Sequence, residues 1–164
     1  MAYLITENCT GCTACIRRCP TDAITGERHG LHVIAPERCI DCGACGVICP
    51  DEAIYDERGE LCLFVEAKRR PLAYVDLEAC VGCEQCVWSC PFDALRMIAL
   101  GPDGHFGVAE LVTRKCVGCT LCERDCPYDA IHIWNGGSPE AEAALERARV
   151  FTEAVTSRPS DAAE

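Results

Sequence analysis

Apolar residues come in pairs and short groups along most of this chain. Tyr3-Leu4-Ile5, Leu31-His32-Val33-Ile34, Ala73-Tyr74-Val75 and the span from Val108 to Val112 have the length of strands. A second set, Ala23-Ile24, Ala53-Ile54, Ala94-Leu95 and Ala130-Ile131, opens further strands. Gly26 to Gly30, Glu57-Arg58-Gly59 and Gly101-Pro102-Asp103-Gly104 read as turns. Leu61-Cys62-Leu63-Phe64-Val65 predicts one more strand, with a connector through Lys68-Arg69-Arg70-Pro71. After Trp134 the pattern changes. Asn135-Gly136-Gly137 is a break, and Ser138-Pro139-Glu140 supplies an N-cap, a first-turn proline and an acid for a helix start. The spacing predicts a helix over 139–156, with Ala144, Ala148, Phe151 and Val155 on one face and Ala141 and Leu145 beside them. Residues 157–164 read as frayed.

Between these segments one unit recurs four times: C-T-G-C-T-A-C-I-R-R-C-P from Cys9, C-I-D-C-G-A-C-G-V-I-C-P from Cys39, C-V-G-C-E-Q-C-V-W-S-C-P from Cys80, and C-V-G-C-T-L-C-E-R-D-C-P from Cys116. Each is C-x2-C-x2-C-x3-C-P, and each leaves by the same exit: T-D-A-I, D-E-A-I, F-D-A-L and Y-D-A-I. Three cysteines at i, i+3 and i+6 on a coiled loop can turn their sulfurs inward around one face of a cube. Gly11, Gly43, Gly82 and Gly118 let the backbone wrap closely and aim N–H groups at sulfur. Pro20, Pro50, Pro91 and Pro127 turn the chain after the last cysteine.

Cysteine supplies 17 of 164 residues, which leaves a disulfide framework or metal ligation as explanations. The N-terminal residues have no basic segment, apolar stretch or cleavage site of a signal peptide. No apolar run nears the roughly 20 residues that span a bilayer. Both features predict a cytoplasmic protein with reduced thiols and no membrane partner, and the odd count suits closed disulfides poorly. Zinc sites usually take two separated C-x2-C pairs, whereas three cysteines in seven residues suit a cube. Aromatic residues make up only 6%, so the core expected from large side chains is thin, and folding should be coupled to metal loading.

The four runs resemble the bacterial-type 2[4Fe–4S] ferredoxin family, present twice in tandem over roughly residues 3–135. The resemblance implies an α+β fold of two ferredoxin-like modules with short strands and helices, residues 1–70 and 71–135; the C-terminal helix and tail read from the residues over 136–164 lie outside it. It implies four [4Fe–4S] clusters, with the fourth cysteine of each run on a short helix and ligating the neighbouring cluster. With adjacent runs paired, the ligand sets are Cys9, Cys12, Cys15 and Cys49; Cys39, Cys42, Cys45 and Cys19; Cys80, Cys83, Cys86 and Cys126; and Cys116, Cys119, Cys122 and Cys90. Some four-cluster subunits of larger oxidoreductases nest the pairs instead, first run with fourth and second with third. The step of 30 residues from Cys9 to Cys39 is close to a compact two-cluster unit, whereas the next two steps are 41 and 36. That leans toward adjacent pairing, and both arrangements use the same sixteen cysteines.

Net charge is −11, with the modules at −3 and −5 and the tail at −3. No basic face exists to neutralise phosphates, so nucleic acid is not an expected partner. Acidity serves solubility, or steers docking to a basic redox partner. Lys68-Arg69-Arg70 is the one dense basic group, a solvated loop or a contact for an acidic partner. Cys62 belongs to no run and reads as a buried small apolar residue. His29, His32, His105 and His132 show no mutual ligand spacing and read as surface or strand residues. Trp88, Phe92, Tyr128 and Trp134 read as packing that keeps water from the clusters.

No nucleophile–base pair, phosphate-binding glycine loop, or flavin or nicotinamide fingerprint is visible, so no catalytic residue is assigned. The expected function is one-electron hopping among the clusters. One placement is the electron-conducting subunit of a multisubunit oxidoreductase, between a substrate-oxidising subunit and a flavin subunit or other acceptor. The chain also resembles the small polyferredoxin subunits that accompany tungsten- or molybdenum-containing enzymes, particularly tungsten aldehyde oxidoreductases. The alternative is a free polyferredoxin carrier serving several enzymes. The final helix packs on the chain's own sheet or docks to another subunit, and assembly of copies into longer wires is a further expectation.

Overall fold

The structure is a computed structural model and describes residues 2–100 and 106–156. The chain divides into two compact units, Met1–Arg70 with Val117–Cys119, and Pro71–Cys116 with Thr120–Glu164. The first unit carries four two-residue strands: β1 (Leu4–Ile5), β2 (Ile24–Thr25), β3 (Val33–Ile34) and β4 (Ile54–Tyr55). β1 runs antiparallel to β4, with Ile5 opposite Ile54, and β2 runs antiparallel to β3, with Ile24 opposite Ile34. The second unit repeats the scheme with longer strands: β5 (Pro71–Val75), β6 (Leu95–Leu100), β7 (Phe106–Leu111) and β8 (Ile131–Asn135). There β5 pairs with β8 and β6 with β7, both antiparallel. In each unit the first strand pairs with the last and the second with the third.

Each exit sequence opens a strand, as its alanine–aliphatic pair predicts. Ile24, Ile54, Leu95 and Ile131 begin β2, β4, β6 and β8, and all four side chains are buried. Large apolar residues are few, so cysteine fills the remaining core. Ile5, Ile24, Ile34 and Ile54 pack with Cys15, Cys45 and Cys49 in the first unit. Ala73, Leu95, Ala109 and Ile131 pack with Cys86 and Cys122 in the second.

Among the described residues the α-helices are α1 (Gln85–Ser89), between β5 and β6, α2 (Leu121–Arg124), between β7 and β8, and α3 (Pro139–Thr156) after β8. Ser138 Oγ accepts the Ala141 N–H at 3.2 Å, the capping bond that the sequence predicts for α3. Ala141 and Ala144 are buried against Tyr74, with Leu72 and Trp134 packed around them, so α3 covers its own β5–β8 ribbon. Leu145, expected near that face, is 60% exposed. Along the exposed part of the helix Arg149 pairs with Glu146 and Glu153 at 2.7 and 2.8 Å.

The strand expected over Leu61–Val65 does not form. Only Leu61 bridges to Tyr55, and Cys62 donates its N–H to Ile54 O at 2.8 Å. β4 has just two residues to offer, and the Val65 N–H goes instead to Val47 O at 3.0 Å. The basic connector forms one 3-10 turn, Ala67–Arg69. The turn expected at Gly101–Gly104, His105 and the tail expected over 157–164 lie outside the described residues.

Candidate metal centres

Every cysteine run folds into the same loop, because two residues flanking its second cysteine turn left-handed. They are Gly11 and Thr13, Asp41 and Gly43, Gly82 and Glu84, and Gly118 and Thr120, with φ between 51° and 72°. Alternating hand along a few residues aims successive N–H groups into one concavity, an arrangement that favours anions and iron–sulfur sites. Glycine takes one of the two places and a polar residue the other. In the second run the glycine has moved to the later place, with Asp41 in the earlier. At Gly82 a side chain is excluded twice over, by φ +72° and by the Gly107 carbonyl that a Cβ would strike.

The loop presents its cysteines unequally. The third one, Cys15, Cys45, Cys86 or Cys122, is only 7–8% exposed in every run. Cys12 and Cys83, second in their runs, are exposed. The sequence expectation that the fourth cysteine lies on a short helix needs correction. The third one does in the second unit, Cys86 in α1 and Cys122 in α2. Cys90 follows α1, Cys126 lies beyond α2, and Cys19 follows the 3-10 turn Ile16–Arg18. The helical turn has ended by the fourth cysteine, where Cys19 and Cys90 both have extended backbone.

Past each fourth cysteine lies a device whose only trace in the sequence is the repeated exit. Asp22, Glu52, Asp93 and Asp129 are left-handed, with φ between 48° and 51°. That turn brings the next N–H, of Ala23, Ala53, Ala94 or Ala130, to 3.3–3.5 Å from the sulfur four residues back, on Cys19, Cys49, Cys90 and Cys126. These alanines are 0–2% exposed, so a larger side chain has no room there.

Cysteines from two runs meet around single cavities. Cys9, Cys12, Cys15 and Cys49 line one. Cys19, Cys39, Cys42 and Cys45 line a second, and Cys80, Cys83, Cys86 and Cys126 a third. Each set holds three cysteines of one run and the fourth of its neighbour, the adjacent pairing. Of the remaining four, Cys90, Cys116 and Cys122 share the core of the second unit, and Cys119 is half-buried. None of the seventeen cysteines is in a disulfide. Among the described residues no three or more Cys, His, Asp or Glu converge closely enough for one metal ion. A cubane binds each thiolate on a separate iron, which suits sulfurs arranged round a cavity, so the three sets fit that group.

Crowding and burial act on these thiols in one direction. Burial pushes Cys15 up to about 11, with Cys12 and Cys9 adding to the rise. It pushes Cys86 up to about 11 as well, helped by Cys80, Cys83 and Cys126. Cys45 goes higher still, from burial and then from Cys42, Cys39 and Cys15. Neighbouring thiolates repel one another unless a cation stands between them, and bound iron supplies that positive charge.

Side chains outside the runs take mixed places. Cys62 is half-buried against the first core, and its Sγ would lie 2.7 Å from a Cβ placed on Gly46. His32, expected at a surface or in a strand, is 1% exposed, with Nδ1 3.4 Å from Cys9 Sγ. The period-two alternation that puts His32 on the same side as buried Ile34, with Leu31 and Val33 exposed, is the pattern that accompanies burial. Tyr128 lines the third cavity, as expected of packing around a site. Trp88 does not shield one, being 81% exposed, and Trp134 packs instead toward Tyr74 and stacks on His132.

These loops, cavities and paired ribbons define an iron–sulfur protein of the ferredoxin type, whose work is electron transfer by 4Fe–4S clusters. The chain carries 4Fe–4S dicluster ferredoxin domains: family models described as "4Fe-4S dicluster domain" match residues 73–133, 1–50 and 38–94. The third match straddles the second and third runs, since a two-run pattern can register on any adjacent pair of a regular repeat. Curated relatives include a subunit of the ion-translocating oxidoreductase complex from Cereibacter sphaeroides, 46% identical over 34 residues, or 21% of this chain and 18% of that one. The same subunit from Serratia proteamaculans and from Haemophilus influenzae matches at 47% over 34 residues (21% and 18%) and 43% over 37 residues (23% and 19%). The match thus spans about a fifth of the length of these relatives. A chain of the formate dehydrogenase–heterodisulfide reductase–formylmethanofuran dehydrogenase complex from Methanospirillum hungatei is 22% identical, with 88% of this chain and 56% of that one covered and a TM-score of 0.40. No helix among the described residues is long and apolar enough to cross a membrane.

Proposed function

We propose that the chain holds four [4Fe–4S] clusters on its sixteen run cysteines and works as the electron-conducting subunit of a multisubunit oxidoreductase. The observation that carries the cluster assignment is the set of three cavities, each lined by three cysteines of one run and the fourth of its neighbour. By the same pairing, Cys90, Cys116, Cys119 and Cys122 hold the fourth cluster. Residues 1–70 and 71–135 are then two-cluster modules, and α3 caps the second. When bound, such clusters supply one-electron chemistry. The chain's own residues position the sulfurs, donate N–H groups to them and limit water, and none performs substrate chemistry.

Relatives named as subunits of an oxidoreductase complex support the placement in a larger assembly. The partners are redox subunits: a substrate-oxidising one, with tungsten or molybdenum as the metal to look for first, and a flavin subunit or other acceptor. On this reading the protein works in the cytoplasm, where thiols stay reduced.

Anaerobic purification from the native host, with analysis of co-purifying chains and of iron, sulfide, tungsten, molybdenum and flavin, tests both parts. A stable partner carrying one of these cofactors, and about sixteen irons per copy of this chain (four for each of four clusters), is the expected result. Full iron without any partner would leave a free carrier. Markedly less iron in intact protein would overturn the ligand assignment.

A further inference from the structure

One buried polar side chain borders a cluster site without belonging to the cysteine pattern. His32 lines the cavity of Cys9, Cys12, Cys15 and Cys49. Its Nδ1 faces Cys9 Sγ at 3.4 Å, while Nε2 is buried with no hydrogen-bond partner among the described residues. Room for the ring comes from Gly26, where a Cβ would lie 2.5 Å from His32 Cδ2. Burying an imidazole is costly when its polar atoms go unused. The other cavities meet the same need with apolar side chains, Ile24 and Ile34 in the second and Met97 and Ile131 in the third.

The second unit has a counterpart to this contact. The backbone N–H of Ala109, in β7, points to Cys80 Sγ at 3.5 Å. Both sulfurs belong to the first cysteine of a run, and both donors come from the strand region before the next run. The first unit places a side-chain donor where the second has a backbone one.

We propose that His32 is a positioning residue that donates Nδ1–H to the Cys9 thiolate and raises the reduction potential of the cluster held by Cys9, Cys12, Cys15 and Cys49. The inference rests on those four cysteines forming one ligand set. A coordinated thiolate can only accept, so the tautomer with hydrogen on Nδ1 satisfies the contact. Reduction adds one electron from a redox partner, with no bond made or broken. Part of the added charge reaches the thiolate, a hydrogen bond to it strengthens, and the reduced form gains more than the oxidised one. One cluster in an otherwise repeating set is thereby given its own potential.

The test compares full-length wild type with His32→Phe, which keeps a ring but no donor, and His32→Gln, which restores an N–H. Each is loaded anaerobically, assayed for iron and sulfide, and titrated with dithionite while electron paramagnetic resonance follows every cluster. The reduced wild type is also grown with 15N-histidine, so that a hyperfine coupling reports contact with a cluster. The expected result for His32→Phe is full iron, loss of that coupling and a lower potential for one transition, by about tenfold in its equilibrium or about 59 mV for one electron. His32→Gln should recover most of the shift. Unchanged potentials in fully loaded His32→Phe, or no nitrogen coupling in wild type, overturn the proposal. If His32→Phe fails to load, the wild-type coupling and the His32→Gln potential decide. Wild type short of iron would overturn the ligand set, and this inference with it.

Discussion

The backbone N–H of Ala94 lies 3.3 Å from Cys90 Sγ, and Asp93 puts it there by standing left-handed at φ 48°. Aspartate tolerates that conformation, and glycine tolerates it better; a β-branched residue does not. Asp93→Val should therefore cost about 1–2 kcal/mol and speed iron loss to a chelator, while Asp93→Gly stays near wild type. Denaturation and chelator kinetics of loaded protein check this. Equal rates for the two variants would sink the account of the exit turn.

Gly82 combines a left-handed φ of +72° with the Gly107 carbonyl in the space a Cβ needs. Gly82→Ala must strain the loop or push it from β7, with an expected cost of at least about 1–2 kcal/mol. Because the loop carries Cys80 and Cys83, the loss should appear first in the cluster of the third cavity. Iron analysis and cluster spectroscopy of the variant should show that one signal weakened and the others intact. Full, undisturbed loading would argue that the loop tolerates a side chain.

Cys62 and Cys86 are both cysteines in a core, and removal should separate them. Cys62 touches Gly46 and packs on the first core. Cys62→Ala should keep all iron and lose about 1 kcal/mol, as a small apolar truncation does. Cys86→Ala should lose a cluster, because Cys86 lines the third cavity with Cys80, Cys83 and Cys126. Iron per chain read side by side for the two variants is the check, and iron loss in Cys62→Ala would make it a ligand.

What can be read from the residues follows from what each kind of signal encodes. The runs are legible because ligand geometry fixes cysteine spacing, and each exit marks a strand because an alanine–aliphatic pair there has one buried role. Left-handed Asp22, Glu52, Asp93 and Asp129 are hidden, since aspartate and glutamate carry no requirement for that hand as glycine does. Leu61–Val65 misleads for the opposite reason: an apolar pattern states an ability to pair, while a two-residue β4 leaves it almost no partner. Trp88 and His32 show the limit of composition, one large aromatic exposed and one histidine buried against the intuition for each.

Helix α3 should depend on its start. Ser138→Ala removes the acceptor for the Ala141 N–H and should cost about 0.5–2 kcal/mol. Ala141→Leu should cost about 1–3 kcal/mol, because Ala141 is 1% exposed against Tyr74. Both effects should be read as a lower melting temperature without loss of iron, since no residue of α3 lines any of the three cysteine cavities. Iron loss in either variant would show that the helix supports a site.

Removal of the clusters sets the thiols' own acidity free, and its sign can be worked out. In the metal-free fold burial holds Cys15 and Cys86 at about 11, above the ordinary 9.0, so both carry protons below that range. Ligation needs thiolates, so loading releases those protons, and raising the pH favours the loaded state. If the metal-free chain keeps these cysteines buried, the gain continues from 9 up to about 11; if it unfolds, it levels off near 9. Stability of the metal-free fold runs the other way. A raised folded value means full stabilisation below 9 that is lost as pH climbs toward 11, because the unfolded chain gives up its protons first. Anaerobic reconstitution with iron and sulfide across pH 7.5 to about 11, with proton release measured alongside, should show loading that strengthens with pH. A flat profile with no protons released would mean that the thiols are ionised before iron arrives, and that something other than iron offsets their mutual repulsion.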